Sequence, residues 1–91
     1  MPTFKFEFSP HAERDFSSLP KNLQKRILKK LDYFEESGHP LTFAKPMIDF
    51  NKYYRFRIGD YRVIVTPKKN GKLSVLLILR IGHRREVYKL G

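Results

Sequence analysis

YRFRIGDYRV, residues Tyr54 to Val63, alternates apolar and basic side chains, breaks at Gly59-Asp60, and alternates again. Period-two alternation is the pattern of a half-buried strand, and a Gly-Asp pair between two such runs reads as a two-residue hairpin turn. With that turn, Ile58 faces Tyr61, Arg57 faces Arg62 and Phe56 faces Val63. Tyr54, Phe56, Ile58, Tyr61, Val63 and Val65 then share one face, suited to a core. Arg55, Arg57, Arg62 and Ile64 share the other, with Tyr53. Like charges placed opposite each other destabilise a sheet, so the arginines need an explanation. One is structural: acids from elsewhere neutralise them. Asp49, Asp60 and Glu86 are the only acids in residues 45–91, and Asp60 belongs to the turn. The other is functional, and the shortage of acids favours it. Arginine presents a planar fork of donors that matches phosphate oxygens, so the hairpin reads as a phosphate cradle.

Outward from the hairpin, the rest of the chain falls into short elements. Phe4, Phe6 and Phe8 alternate with Lys5 and Glu7, as in a strand. Ser9-Pro10 reads as a helix N-cap and first helical position, and Ala12, Phe16 and Leu19 give that helix an apolar stripe. Pro20 opens a second helix, with Leu23, Ile27, Leu31 and Phe34 at helical spacing, ended by Gly38 and Pro40. Its Lys21, Lys25, Arg26, Lys29 and Lys30 read as a solvated face. Residues 39–52 carry two prolines and no period, and read as a loop. Strands are expected over 53–58, 61–67 and 72–81, with Asn70-Gly71 as a type I′ signal in a turn at Lys68-Lys69-Asn70-Gly71 of either two or four residues. A two-residue turn would place Arg80 opposite Tyr61, towards the helices. In the last strand Val75, Leu77, Leu79 and Ile81 are expected on one face and Leu76 and Ile78 on the other. The face away from the helices would keep an apolar strip for a partner. The order predicts a single α+β domain over residues 1–91: an N-terminal strand, a helical hairpin, then an antiparallel three-strand meander.

Composition narrows the partner. The chain has 91 residues, no cysteine and a formal net charge of +10. Residues 1–44 carry seven basic and six acidic side chains, whereas residues 45–91 carry twelve and three. Such a basic half repels itself unless an anion meets it, and nucleic acid is the natural candidate. A membrane partner is not expected: the basic half reads as strands, LSVLLILRI is too short to span, and the first ten residues do not read as a signal peptide. Absence of cysteine excludes a disulfide scaffold and thiolate zinc site, and fits a reducing compartment. No paired His or carboxylate spacing suggests another metal site, and no cofactor is expected.

A second cluster follows the last strand. IGHRREVYK, Ile81 to Lys89, holds His83, Arg84, Arg85 and Tyr88 within six residues. One reading is a basic tail in which Arg85 and Lys89 grip backbone phosphates. The other is metal-free acid–base chemistry on a phosphodiester. Histidine titrates near neutrality, arginine can stabilise the charge of the transition state, and tyrosine can transfer a proton or stack on a base.

YYRFRIGDYRVIV followed by LLILRIGHRREVYK resembles the RelE/ParE superfamily of type II toxins, and within it the RelE-like messenger-RNA interferases. The resemblance is strongest over residues 53–91 and extends more loosely, through AKP at 44–46, to nearly the whole chain. It implies a microbial-ribonuclease-like fold and a cytoplasmic toxin that cuts mRNA in the ribosomal A site. It also implies 2′-hydroxyl attack leaving a cyclic phosphate, without metal, and a toxin–antitoxin hetero-oligomer with a cognate acidic antitoxin. The family's basic pair falls on Arg55 and Arg57, the arginine after the turn on Arg62, the basic residue after the last strand on Arg84 or Arg85, and the C-terminal tyrosine on Tyr88. Some members have lysines where this chain has Arg55 and Arg57. Arginine stays protonated, so the base is unassigned: His83 is the natural substitute, with Lys52 or Tyr88 in reserve. The loop KPMIDFN lacks the glycines expected before the first meander strand. Two other functions stay open: a DNA gyrase poison on the same fold, whose members generally lack the basic and tyrosine set, and a non-catalytic nucleic-acid-binding domain.

Overall fold

The computed structural model describes residues 4–48, 52–71 and 73–87, with Asn70 by its backbone. Five strands form one sheet in the order β1-β5-β4-β3-β2. β1 (Phe4–Phe8) runs parallel to β5 (Leu73–His83), and every other pair is antiparallel. Between β1 and the rest come α1 (Pro10–Ser17) and α2 (Lys21–Glu36). Ser9 caps α1 as its sequence predicts: its hydroxyl accepts the Ala12 N–H at 3.1 Å, and Pro10 needs no partner at the first position. Ile27, Leu31 and Phe34 of α2 are buried against Phe56, Ile58, Val63, Val65, Leu76 and Ile78 of the sheet. The core therefore lies on one face, and Phe4, Phe6, Phe8 and Tyr54 close its margin.

The hairpin of β3 (Tyr54–Ile58) and β4 (Tyr61–Asn70) has the expected register, with Ile58↔Tyr61, Arg57↔Arg62 and Phe56↔Val63. Gly59 has φ +60° while Asp60 does not enter the positive region, the pattern of a type II′ turn. A side chain at Gly59 would be strained by that φ. It would also stand 3.1 Å from Nη2 of Arg26, whose guanidinium packs over the turn.

Three expectations change. Residues 39–52 are not simply a loop. Pro40–Phe43 form a 3-10 turn, and β2 (Ala44–Pro46) pairs with β3 as an edge strand, so the meander has four strands. Pro46 is tolerated because an edge strand has one side without ladder bonds. The second hairpin closes on Asn70↔Leu73, one residue further along than the Asn-Gly signal suggests, with Gly71 at φ +65°. Finally, a bulge breaks the β4–β5 register: Val65 faces Ile78, but Ile64 faces Arg80, leaving Leu79 as the extra residue. The slip turns Ile81 into the core beside Leu76 and Ile78, and turns Arg80 to face Ile64 on the opposite side rather than Tyr61.

β1 covers only the first half of β5. Beyond Ile78, α1 covers that edge. Ser9 bonds the Ile78 and Leu79 carbonyls at 3.0 and 3.3 Å. The Asp15 carboxylate accepts the Ile81 N–H at 3.0 Å and holds Arg80 through Nε at 2.8 Å and Nη2 at 3.3 Å. A side chain thus supplies acceptors that a neighbouring strand would otherwise provide.

Candidate functional site

The alternation of β3 and β4 sends Arg55, Arg57 and Arg62 to the face away from the helices. Arg84 joins them from the turn after β5, where its N–H bonds the Asp60 carbonyl at 2.8 Å. These four arginines, with Lys45 of β2 and Phe43 of the 3-10 turn, line a depression of about 350 Å³. Among the described residues no carboxylate lines it. Arg62 is held by its own turn: Nη1 donates to the Gly59 and Tyr61 carbonyls, both at 2.9 Å. Arg57, directly across from it, has no hydrogen-bond or ion-pair partner among the described residues.

Of the three acids considered as neutralisers, the two that are described do little here. Asp60 reaches Arg84 Nε only at 3.9 Å, with both side chains largely exposed, a geometry worth little in water. Glu86 is exposed and forms no ion pair among the described residues. Asp49 lies outside the described residues. Two like charges 4 Å apart repel by roughly 1 kcal/mol in water-like surroundings, which sets the scale for the Arg57–Arg62 pair.

Among the other predicted residues that are described, His83, Arg85 and Lys52 do not line this depression. His83 pairs with Tyr61, so it lies on the helix side of the sheet. Its ring meets Tyr61 edge-on at 5.7 Å, and Nδ1 accepts the Arg85 N–H at 3.2 Å. Arg85 is exposed in the turn that follows. Lys52 sits at the far end of β3 with φ +69°, and its carbonyl accepts the Thr66 hydroxyl at 3.0 Å. Tyr88 and Lys89 lie outside the described residues. Val87, which precedes Tyr88, is buried, and its side chain lies beside Gly82, the residue paired with Arg62.

Lys45 and Phe43 are the site residues that the sequence did not announce. Their only signal was the Ala44-Lys45-Pro46 triplet, whose proline marks an edge strand once a partner is known. A second concavity lies on the same sheet face. This groove of about 580 Å³ is mainly apolar, formed by Met47, Tyr53, Ile64, Leu79 and Val87, with His11, Arg14 and Arg80 also in its lining. Of the β5 residues expected on this face, Leu79 lines the groove, whereas Ile81 has turned into the core. Among the described residues there is no cluster of three or more His, Asp or Glu side chains placed to hold a metal. No described helix is long and apolar enough to cross a membrane.

Residues 6–88 match the family model described as the ParE toxin of the type II toxin–antitoxin system parDE. Among solved structures, the archaeal RelE–RelB complex from Pyrococcus horikoshii OT3 is similar at 30% identity and TM-score 0.66, over 90% of this chain and 96% of that one. The toxin–antitoxin complex RelBE2 from Mycobacterium tuberculosis is similar at 23% identity and TM-score 0.75, over 92% and 94%. A mutant of the E. coli toxin RelE in the free state is similar at 22% identity and TM-score 0.69, over 98% and 93%. No curated protein sequence matches significantly.

Proposed function

Because the chain belongs to the ParE toxin family of type II toxin–antitoxin systems, we propose that it acts as a ribosome-dependent endoribonuclease and is neutralised by an acidic antitoxin. The observation that carries this reading is the depression lined by Arg55, Arg57, Arg62 and Arg84 with Lys45 and, among the described residues, no carboxylate. A site for a phosphodiester needs donors and positive charge around the non-bridging oxygens. Arg57 and Arg62 are direct cross-strand neighbours in its lining, and Arg84 lines it with them.

In the reaction proposed, the ribose 2′-oxygen attacks the adjacent phosphorus and gives its proton to a base. The P–O5′ bond then breaks, and an acid protonates the leaving oxygen. The products are a 2′,3′-cyclic phosphate and a 5′-hydroxyl. The arginines stabilise the charge of the transition state but transfer no proton at neutral pH. His83 points to the other side of the sheet, which favours Tyr88 for proton transfer. The ribosome would orient the substrate, as the modest acid–base set requires.

The test is cleavage of mRNA on purified programmed ribosomes. The wild-type chain should leave cut mRNA with a cyclic phosphate end. Tyr88→Phe should bind normally and cleave about 10²–10⁴-fold more slowly. Intact mRNA after incubation with the wild-type chain would refute the reading.

A second reading rests on the matched model being that of the ParE toxin: a gyrase inhibitor on this fold. Loss of supercoiling by purified gyrase, with mRNA left whole, would select it. In both readings the antitoxin would seat an apolar segment with acidic flanks in the groove of Ile64, Leu79 and Val87, beside Arg14 and Arg80.

A further inference from the structure

Four rings form a column that runs from the core to the surface. Phe56 is fully buried and stacks on Phe34 at 4.9 Å and 25°. Phe34 stacks on Phe43 at 5.0 Å and 28°. Phe43 is 39% exposed and stacks with His39 at 6.0 Å and 20°. Tyr33, 56% exposed, meets Phe43 edge-on at 5.5 Å, and Lys30 Nζ stands 5.7 Å from the Tyr33 ring centre.

One residue joins this column to the arginine site: Phe43 both ends the buried stack and lines the depression with Arg55, Arg57 and Arg62. If Phe43 served only to cover Phe34, an aliphatic side chain would do as well. Rings continued outward to an exposed His39, where they bury little core, suit a flat partner. Nucleobases stack on exposed aromatic faces, and cations beside the rings track the backbone.

We propose that the exposed outer end of this column, His39 stacked on Phe43 with Tyr33 at its edge, is the base-stacking platform for a nucleotide of the strand whose phosphate enters the arginine depression. The platform rests on the RNA reading of that depression. It orders the strand: phosphate under Arg57 and Arg62, base over the edge at β2, and Lys30 beside the rings for a neighbouring phosphate.

The test uses programmed ribosomes whose A-site codon carries 2-aminopurine, with 2′-O-methyl at the cut position to prevent cleavage. A parallel mRNA carries an abasic ribose at the same place. The wild-type chain should quench the 2-aminopurine on binding. Phe43→Leu, which keeps an apolar cover on Phe34, should abolish the quench and weaken binding roughly 5- to 100-fold. It should bind the abasic message as the wild type does, with an unchanged salt slope. Phe43→Trp should retain the quench. Arg57→Gln should weaken binding to both messages and lower the slope by about one counterion.

If Phe43→Leu quenches and binds like the wild type while Arg57→Gln weakens both, the platform is wrong and the RNA reading stands. If the wild-type chain binds neither message, the RNA reading falls and the platform with it. If Phe43→Leu loses affinity only for the antitoxin, the rings belong to a protein interface and the proposal is overturned. Should Phe43→Leu unfold at assay temperature, Tyr33→Leu gives the same test, because its ring is mostly exposed. It should reduce the quench, and an unchanged quench overturns the proposal.

Discussion

Arg80 and Arg57 stand on the same face of the same sheet in opposite circumstances. Arg80 is held by Asp15 through two nitrogens, with side chains 29% and 16% exposed, and the same carboxylate takes the Ile81 N–H. Arg57 faces another arginine and has no partner among the described residues. At the α1 end, a helix lies where the strand edge would otherwise be open and delivers a carboxylate to it. At the hairpin end, Asp60 is exposed and stands 3.9 Å from Arg84. Arginine is a structural residue where the fold brings an acid to it, and at Arg57, among the described residues, no acid meets it.

Three substitutions can break or sharpen that contrast. The largest effect is expected at the open end. Arg57→Ala should lower cleavage of ribosome-bound mRNA about 10²–10³-fold, the usual loss for one donor to a developing negative charge. Its thermal stability should hold or rise slightly, because a like-charge pair is relieved. Denaturation and cleavage measured on one preparation decide it: a clear fall in stability with normal cleavage would make Arg57 as structural as Arg80.

Next comes the closed end. Asp15→Ala leaves Arg80 and the Ile81 N–H unsatisfied in a partly buried place, and should cost about 2–3 kcal/mol in chemical denaturation. Ribosome binding by the folded fraction should be unchanged. A loss under about 0.5 kcal/mol, the range of ordinary surface substitutions, would dissolve the distinction between the two ends.

The smallest of the three is Gly59→Ala, expected to cost about 1–2 kcal/mol, since a Cβ is disfavoured at positive φ and crowds Arg26. Calorimetry of this variant alongside Gly59→Ala/Arg26→Ala separates the two causes. Partial recovery in the double variant assigns the recovered part to the guanidinium.

By itself the sequence determined the β3–β4 hairpin, its register and the opposition of Arg57 and Arg62, because alternation and a Gly-led turn are local properties of about ten residues. Helix positions were equally legible, since Ser9-Pro10, Pro20 and Gly38 punctuate a helical apolar period. Only the tertiary structure decided what depends on distant partners. Ala44–Pro46 is too short to show a period, and is a strand because the exposed edge of β3 offers it hydrogen bonds. The bulge at Leu79 cannot be read in a run apolar on both faces. It reverses Arg80 and Ile81 against the simple alternation, and Asp15, 65 residues from Arg80, meets both beyond it. His83 was close to Arg84 in sequence but lies on the other side of the sheet, because that same slip carries to the end of β5. Phe43 entered the arginine depression for a similar reason: β2 docks beside β3, and no neighbour in sequence announces that contact.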